Sequence, residues 1–383
     1  MNGNQNYAYR KYAQLYRKPG PWCTVYAKVS TGTVDSLRSS ELLPDHIENF
    51  LHKAGASKTD MAALKDVVWP VEGEPSPVSR FLLVRQGNIE LDEVLPGAAG
   101  QEETKVAAVP DLLPLLKHRG KDFPYVVAEV DRSGGEISFH LANRRTAVSA
   151  NAVEGSRENI TKLPGGGWAQ GKYQHRTEEI WRRNADEVAG QIDRIVEASN
   201  ARLLVVAGDM RARDLVINQL ADRSRSVVVV VDANTRGGGA DPKSLREKVD
   251  ERIAEVVARR QQEILDKLAE QDGQPNALAV TGLGAAVHAL QQAQVEILLL
   301  DDTALTERTL LALDAEPWVA TAPEEALDAA VLGEVPAATA LLRAAMLTDA
   351  EIAVVPPGAL PGGGALAALL RWPTGPRVPS ART

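Results

Sequence analysis

Cysteine is nearly absent from this sequence of 383 residues, since Cys23 is the only one. A single thiol excludes a disulfide framework, a zinc site built from several thiolates and a CxxC redox pair. Aromatic residues make up only 4% of the chain, so its cores must consist mainly of Val, Leu, Ile and Ala. No run of about 18 apolar residues occurs, and the first residues contain no apolar signal-peptide segment. We therefore expect a soluble, cytoplasmic protein without a membrane partner.

The net charge of −8 is distributed unevenly along the chain. Residues 1–30 contain five lysines and arginines and no acidic residue, whereas residues 301–370 contain 11 acidic residues and two arginines. The acidity therefore belongs to the C-terminal region, and the rest of the chain can present a basic surface to an anionic partner such as a nucleic acid.

The order of predicted helices and strands indicates an α/β protein with several domains. We predict a mixed α/β N-terminal domain over 1–121, which begins with a basic, tyrosine-rich arm. A central domain with a mixed sheet is predicted over 122–275. An acidic C-terminal domain over 276–372 is expected to form an α/β/α sandwich, and residues 373–383 are expected to be a disordered tail.

Hydrophobic patterns support this division. In the central domain, two strands joined at Ser133-Gly134-Gly135 precede a long helix over about 174–199, the buried strand RLLVVAGD and a helix that begins at Pro242. In the C-terminal domain, EILLLDD is predicted to be a strand, EEALDAAVL and PAATALLRAAML are predicted to be helices, and EIAVVP is predicted to be the last strand.

Two glycine-rich segments imitate nucleotide-binding motifs. GLGAAV, over 282–287, has Val287 where a dinucleotide fingerprint needs a small residue, so it is interpreted as a turn between a strand and a helix. GGGADPKS has Pro242 where a phosphate loop needs a backbone N–H, and Asp241-Pro242 is instead typical of a helix start. The six histidines show no metal-ligand spacing. We therefore expect neither a cofactor nor a metal.

The N-terminal arm combines two kinds of residue that bind RNA. Its cations are Arg10, Lys11, Arg17 and Lys18, and these alternate with Tyr7, Tyr9, Tyr12 and Tyr16. Cations contact phosphates, and tyrosines can stack on unpaired bases. An amphipathic segment that docks on its own domain would have the same composition, and the sequence does not separate the two interpretations.

The glycine-rich loop over 162–176, KLPGGGWAQGKYQHR, is the most informative stretch. Flexible residues surround one tryptophan and several cations, and a long helix follows. Such a loop suits insertion into a nucleic-acid pocket, although a mobile surface loop is the alternative. The candidate RNA-binding residues are Lys162, Gly165, Gly166, Gly167, Trp168, Gln170, Lys172, Tyr173 and Arg176.

The segment GGWAQGKYQHRTEEIWRRNADEVAGQI resembles the central-domain loop and following helix of the archaeal and eukaryotic class-I peptide-chain release factors, which carry Gly-Gly-Gln in this loop. The chain is similar to the bacterial branch of that superfamily, which includes the Balon-type ribosome hibernation factors and their actinobacterial relatives. RLLVVAGD, the helix after residue 241 and TGLGAAVHALQQAQVEILLLDD extend the resemblance over about residues 123–370. Residues 1–120 do not resemble the codon-reading domain of the family.

Aligning Gly166-Gly167 with the Gly-Gly of the family places Trp168 at the position of the hydrolytic glutamine. In a release factor, that glutamine and the Gly-Gly backbone place a water against the peptidyl-tRNA ester, and tryptophan cannot do this. The resemblance therefore implies a non-catalytic hibernation and stress factor that binds rRNA in the ribosomal A site. Its loop would extend towards the peptidyl-transferase centre.

The same resemblance implies elongation factor Tu as a further partner, and we expect the protein to act as a monomer. Gln170 forms a Gly-x-x-Gln pattern, which leaves open the alternative of a peptidyl-tRNA hydrolase that rescues stalled ribosomes. A third hypothesis is a ribosome-independent adaptor that works through its acidic C-terminal domain. This adaptor would have binding partners but no salt-dependent affinity for RNA.

Overall fold

The computed structural model describes residues 12–30, 34–69, 77–119, 123–142, 147–154, 169–232, 242–271, 274 and 277–373, with the side chains of 34–41, 169–177 and 242–244 outside the description. The chain forms two compact units, one made of residues 1–120 together with 261–383 and the other of residues 121–260. The prediction of an α/β protein with several domains is confirmed. No helix in the described part of the chain is long and apolar enough to cross a lipid bilayer.

A four-stranded antiparallel sheet organises the N-terminal region. Its elements are β1 (Trp22–Lys28), α1 (Val34–Lys53), α2 (Lys58–Lys65), β2 (Val78–Arg85), β3 (Asn88–Pro96), β4 (Glu103–Ala107) and α3 (Leu113–Arg119). The sheet order is β3-β2-β1-β4. Strand β1 is buried on both faces because its side chains alternate between two apolar clusters, with Trp22 and Tyr26 in one and Cys23 and Val25 in the other.

A five-stranded mixed sheet forms the frame of the central unit. The elements are β5 (Pro124–Asp131), β6 (Gly134–Leu141), β7 (Ser149–Glu154), α4 (Ala169–Ser199), β8 (Leu203–Gly208), α5 (Met210–Gln219), α6 (Asp222–Ser226), β9 (Val228–Val230) and α7 (Pro242–Glu270). The order is β7-β6-β5-β8-β9, with β5, β8 and β9 parallel and the other pairs antiparallel.

Helices cover both faces of this central sheet. Val188, Ile192 and Val196 of α4 pack on one face, together with α5. Leu245 and Val249, in the first turns of α7, pack on the other face. The sheet is therefore buried on both sides, as the unbroken apolar run of β8 predicts.

The C-terminal region contains two sheets. The elements are β10 (Ala279–Thr281), α8 (Leu283–Gln291), β11 (Val295–Leu300), β12 (Thr309–Leu313), β13 (Val319–Ala320), β14 (Val331–Pro336), α9 (Ala337–Leu347), β15 (Glu351–Val354) and β16 (Leu366–Leu370). The larger sheet has the order β10-β16-β11-β15, with α8 and α9 on one face and the last turns of α7 on the other. This arrangement confirms the predicted α/β/α sandwich. A smaller sheet, β13-β12-β14, packs beside it.

Two C-terminal predictions are wrong, and one further strand was missed. EEALDAAVL does not form a helix, because only Pro323–Ala326 make a short 3-10 turn and the chain then enters β14, which pairs with β12. EIAVVP is not the last strand, since β16 follows it and lies between β10 and β11. Strand β12 was not predicted.

The N- and C-terminal regions share one apolar core. Tyr16 and Leu115 from the N-terminal region lie in the same cluster as Leu342 and Met346 of α9. Lys117 also forms a 2.6 Å ion pair with Asp302. The division into three domains remains a prediction, and the described contacts join its first and third parts into one compact unit.

Candidate functional site

Helix α4 begins within the glycine-rich segment, and its second half packs on the central sheet. Lys162, Gly165, Gly166, Gly167 and Trp168 lie outside the described residues. Gln170, Lys172, Tyr173 and Arg176 lie on the helical backbone of α4, with their side chains outside the description. Their assignment as RNA-binding residues therefore remains a prediction.

The geometry of α4 fixes how far the start of the helix lies from the sheet. The amide of Asn184 donates a 3.2 Å hydrogen bond to the carbonyl of Arg132, immediately after the carboxyl end of β5. Twelve residues separate Ala169 from Trp181, which corresponds to about 18 Å at 1.5 Å per residue. The predicted loop therefore precedes a long helical segment that starts well before the anchored part.

A cleft lies at the carboxyl ends of the parallel strands β5 and β8. Its lining residues are Asp131, Arg132, Trp181, Asn184, Ala185, Val188, Arg211, Ala212, Leu215 and Val216. Ligands of open α/β sheets bind outside the carboxyl ends of the strands, because the loops that follow these ends converge there. Two arginines and a tryptophan, which no sequence motif indicated, therefore occupy a favourable place for binding.

Arg132 is held in this cleft by three contacts. Its guanidinium carbon lies 4.8 Å from the centroid of the Trp181 ring, in a cation–π arrangement. One of its nitrogens lies 3.4 Å from a carboxylate oxygen of Asp209, and the carbonyl of Arg132 accepts the bond from Asn184. The side chains of Arg132 and Asp209 keep 45% and 34% of their exposure, so this ion pair is accessible to a competing anion.

The strand ends around the cleft are fixed by local hydrogen bonds. Asp209 accepts the N–H groups of Arg211 and Ala212, both at 3.1 Å, and so caps the start of α5. Gly208 has φ +113°, and a Cβ at this position would lie 2.0 Å from the carbonyl oxygen of Val130. The close approach of β8 to β5 therefore requires glycine here.

The basic arm has a different environment from the one that RNA stacking needs. Tyr12 and Tyr16 are buried to 2% and 1% exposure, so the interpretation that they stack on bases is wrong. Lys18 pairs with Glu90, and the guanidinium of Arg17 lies 5.6 Å from the centre of the Trp318 ring. The arm docks on its own unit from residue 12 onward, whereas Arg10 and Lys11 lie outside the described residues.

The described parts of the two imitations of nucleotide-binding motifs are helix starts. Gly282 has φ +87° between β10 and α8, which confirms the interpretation of GLGAAV as a strand-to-helix turn. Asp301, after β11, accepts hydrogen bonds from Thr303 and from the N–H of Gly358, and so serves the local backbone. Helix α7 begins at Pro242, as predicted. Within the described ranges, no group of three or more His, Cys, Asp or Glu residues could hold a metal ion.

The sequence contains a weak signal for the cleft that reasoning from motifs misses. Arg132 follows the strand segment VVAEV by two residues, and Arg211 likewise follows RLLVVAGD by two residues. Polar residues that follow consecutive parallel strands meet at one sheet edge. The sequence pattern does not show that β5 and β8 are parallel neighbours, so the two arginines could not be paired from it.

One segment of the chain, which includes most of the central unit, matches a known sequence family. Residues 124–274 match the profile of bacterial archaeo-eukaryotic release factor family 2. This match confirms the resemblance found in the loop and the long helix: the matched segment is similar to bacterial members of the archaeo-eukaryotic release factor superfamily.

Relatives and solved structures extend this comparison. The uncharacterized proteins Rv2629 and MT2704, from two strains of Mycobacterium tuberculosis, are each 25% identical to this chain over 312 residues, which cover 79% of this chain and 82% of each relative.

Among solved structures, the archaeal translation termination factor aRF1 is 16% identical over 97% of this chain and 99% of its own, with a TM-score of 0.26. A ribosome-bound archaeal Pelota is 15% identical over 94% of this chain and 93% of its own, with a TM-score of 0.41. Saccharomyces cerevisiae Dom34 is 9% identical over 79% of this chain and 81% of its own, with a TM-score of 0.41. The resemblance to release factors therefore rests on the profile match over 124–274 and not on these superpositions.

Proposed function

We propose that this protein is a ribosome-binding hibernation factor that occupies the A site as a cytoplasmic monomer. The observation that carries the proposal is a release-factor family match over 124–274 combined with Trp168 at the position of the hydrolytic glutamine. In this proposal, the loop over 162–176 extends from α4 towards the peptidyl-transferase centre and contacts rRNA. It blocks the site without hydrolysing the ester.

The first experiment measures whether the protein travels with ribosomes. Lysates of starved and growing cells are sedimented through sucrose gradients at physiological salt, and the protein is followed by immunoblot. We expect co-migration with ribosomes, enriched in starved cells. Free protein at the top of both gradients would overturn the proposal. Elongation factor Tu is proposed as a further partner, which the same fractions and a purified binding assay would detect.

The loop and the arm are expected to contribute to binding in different ways. Replacing Arg10, Lys11, Arg17 and Lys18 with Ala should flatten the salt dependence of ribosome affinity, by about 0.7–0.9 in log–log slope for each lost phosphate contact. Trp168→Ala should weaken binding by about 1–3 kcal/mol with nearly unchanged slope, if the ring stacks on a base. Isotherms across a salt series measure both quantities. An arm variant with the wild-type slope would show that these cations do not reach RNA.

The second candidate function is ribosome rescue by peptidyl-tRNA hydrolysis. Gln170 follows Gly167 in a Gly-x-x-Gln pattern and lies on the second residue of α4, next to the predicted loop. Purified stalled ribosome–nascent-chain complexes test it directly. Release of the nascent chain by the wild-type protein, abolished by Gln170→Ala, would support the hydrolase. Absence of release, or release that Gln170→Ala does not change, would exclude this mechanism.

A further inference from the structure

The cleft at the carboxyl ends of β5 and β8 has the composition of a site for a charged polymer. Arg132 and Arg211 both expose their side chains at its rim. Met210, next to Arg211 in the first turn of α5, is 68% exposed. A nucleotide presents the matching combination, a charged phosphate beside an apolar sugar and base. We propose that this cleft is a second RNA-contacting site, in which Arg132 and Arg211 bind a backbone phosphate; the inference rests on the proposed ribosome-binding function.

Trp181 prepares Arg132 for a phosphate. The ring covers one face of the guanidinium at 4.8 Å and leaves the N–H edge of the fork available. A planar guanidinium held in this way loses less conformational freedom when it binds a phosphate oxygen. Trp181 is therefore a positioning residue, which acts on the ligand through Arg132.

A phosphate can replace the carboxylate of Asp209 as the partner of Arg132. The 3.4 Å separation from Asp209 is long for a charge-assisted hydrogen bond, which is usually about 2.7–2.9 Å. The other carboxylate oxygen of Asp209 already accepts two N–H groups of α5. Asp131 likewise accepts the N–H and hydroxyl of Ser133, at 2.7 and 2.6 Å. Asp131 in the cleft and Asp209 beside it are thus both engaged by neighbouring donors, and a phosphate can bind Arg132 in place of Asp209.

An unpartnered donor also lies in the cleft. The indole nitrogen of Trp181 is buried and has no hydrogen-bond partner among the described residues. A buried N–H without an acceptor is costly. An ordered water that bridges this N–H to a phosphate bound at the rim would satisfy it.

The position of the cleft favours RNA over a free phosphate ion. Trp181 lies on the helix that begins at the predicted loop, about 18 Å along the axis from Ala169. A polymer with regularly spaced phosphates can contact several points along a helix, whereas a single ion cannot. Under the proposed function, an RNA that binds the loop would therefore also be long enough to contact the cleft.

The experiment compares arginine variants on the same protein. Arg132→Gln, Arg211→Gln and their combination are tested with Arg194→Gln as the matched control, because Arg194 is an exposed arginine near the other end of α4 that contacts only Gln191 in the described structure. The probes are purified ribosomes and a short fluorescent RNA hairpin, each titrated across a salt series. We expect the log–log slope to fall by about 0.7–0.9 for each removed arginine of the cleft and to stay unchanged in the control.

Trp181 is tested by a conservative pair of variants. Trp181→Phe keeps an aromatic face over Arg132 and should retain most of the wild-type slope, whereas Trp181→Leu should lose the contribution of Arg132. Circular dichroism verifies that both variants fold. Equal slopes for Trp181→Leu and the wild type would contradict the positioning role.

The outcomes separate this inference from the proposed function. If the wild type binds neither ribosomes nor the hairpin, or if the cleft variants match Arg194→Gln on both probes, the RNA site is overturned. If the hairpin binds with a slope that depends on Arg132 but ribosomes do not co-sediment, the cleft is supported and the hibernation proposal fails. Competition by inorganic phosphate at equal phosphate concentration would identify a simple anion site and overturn RNA as the ligand.

Discussion

Arg343 is the most deeply buried cation that the structure describes. It keeps 1% of its exposure, donates hydrogen bonds to the carbonyls of Trp318 at 3.0 Å and Tyr16 at 3.4 Å, and lies 5.5 Å from the centre of the Trp318 ring. Burial lowers the pKa of the Arg343 guanidinium to about 10. The side chain therefore remains charged at neutral pH and satisfies backbone acceptors that water does not reach.

Removing Arg343 is expected to be strongly destabilising. Arg343→Ala should lower the free energy of unfolding by about 3–5 kcal/mol, because it removes the donor to the buried carbonyl of Tyr16 and opens a cavity, while the carbonyl of Trp318 keeps only the N–H of Leu313. Urea denaturation followed by circular dichroism measures this change. Arg308→Ala, an exposed arginine of the same region, is the control and should change stability by less than about 0.5 kcal/mol. Equal effects of the two variants would contradict the role of Arg343.

Asp301 gives a pH-dependent test at the residue scale. The hydroxyl of Thr303 donates to this carboxylate at 2.6 Å and, with backbone donors that include the N–H of Gly358 at 3.0 Å, lowers the pKa of Asp301. A lowered pKa means that the ionised form stabilises the fold at neutral pH, and that this contribution is lost as the pH falls through the folded-state pKa.

Asp301→Asn should therefore lower the free energy of unfolding by about 1–3 kcal/mol at neutral pH. The difference from the wild type should begin to shrink as the pH falls below the ordinary aspartate pKa of about 3.9, and it should vanish only below the lowered folded-state pKa. Asp302→Asn is the control, since Asp302 forms a part-exposed ion pair with Lys117 that is worth less than about 1 kcal/mol. A pH-independent difference for Asp301→Asn would show that shape, not charge, determines the effect.

At the scale of elements, the end of β8 provides a sharp test of the central sheet. Gly208→Ala should lower the free energy of unfolding by at least about 3 kcal/mol, because its Cβ would overlap the carbonyl of Val130 and its φ is positive. Gly190→Ala, inside α4 where a Cβ meets nothing within 4 Å, should raise stability by about 0.5–1 kcal/mol. Thermal melts of the two variants check this opposite pair of signs. A neutral Gly208→Ala would mean that β8 can move away from β5.

The local sequence pattern was sufficient to predict a helix or strand that makes most of its contacts through one periodic face. The helix α4, the start of α7 and the strand β8 were predicted close to their observed positions, and the two strands predicted to join at Ser133-Gly134-Gly135 are β5 and β6. Strand β16 was missed because LAALL is rich in alanine, which is a poor strand former, and its stability comes from pairing with β10 and β11. The segment EEALDAAVL has helical propensity, but the pairing of β14 with β12 determines its structure.

The two parts of the candidate site also differ in whether they could be predicted from the sequence. The glycine-rich loop could be selected from composition and resemblance because its chemistry is contiguous in sequence. The cleft could not, since Arg132, Trp181 and Arg211 come from three segments that only the sheet order and the packing of α4 bring together. The burial of Tyr12 and Tyr16 was equally inaccessible, because their apolar partners include residues more than 300 positions later.

At the scale of the whole molecule, the two compact units differ in the number of chain segments that form them. The central unit is one continuous segment whose sheet is covered on both faces by its own helices. The other unit is assembled from the first 120 and the last 123 residues, which share an apolar cluster.

These differences predict the behaviour of fragments. A fragment of residues 121–260 should fold alone, with a cooperative melt and dispersed amide NMR signals. A fragment of residues 1–120 should aggregate or remain partly unfolded, because its face with Leu112 and Leu115 lacks the cover from α9. Co-expression with residues 261–383 should restore a soluble complex. A cooperative melt of 1–120 alone would contradict the shared core.

The contact between Arg343 and the carbonyl of Tyr16 spans 327 residues of sequence. During synthesis, the N-terminal sheet leaves the ribosome long before α9 is translated. Its apolar face therefore stays exposed to solvent while the intervening segment emerges and folds. We expect chaperones to bind the first 120 residues of the nascent chain during this period. A ribosome that pauses before α9 is complete would hold an N-terminal region whose apolar face is still uncovered, together with a central unit that has already been translated.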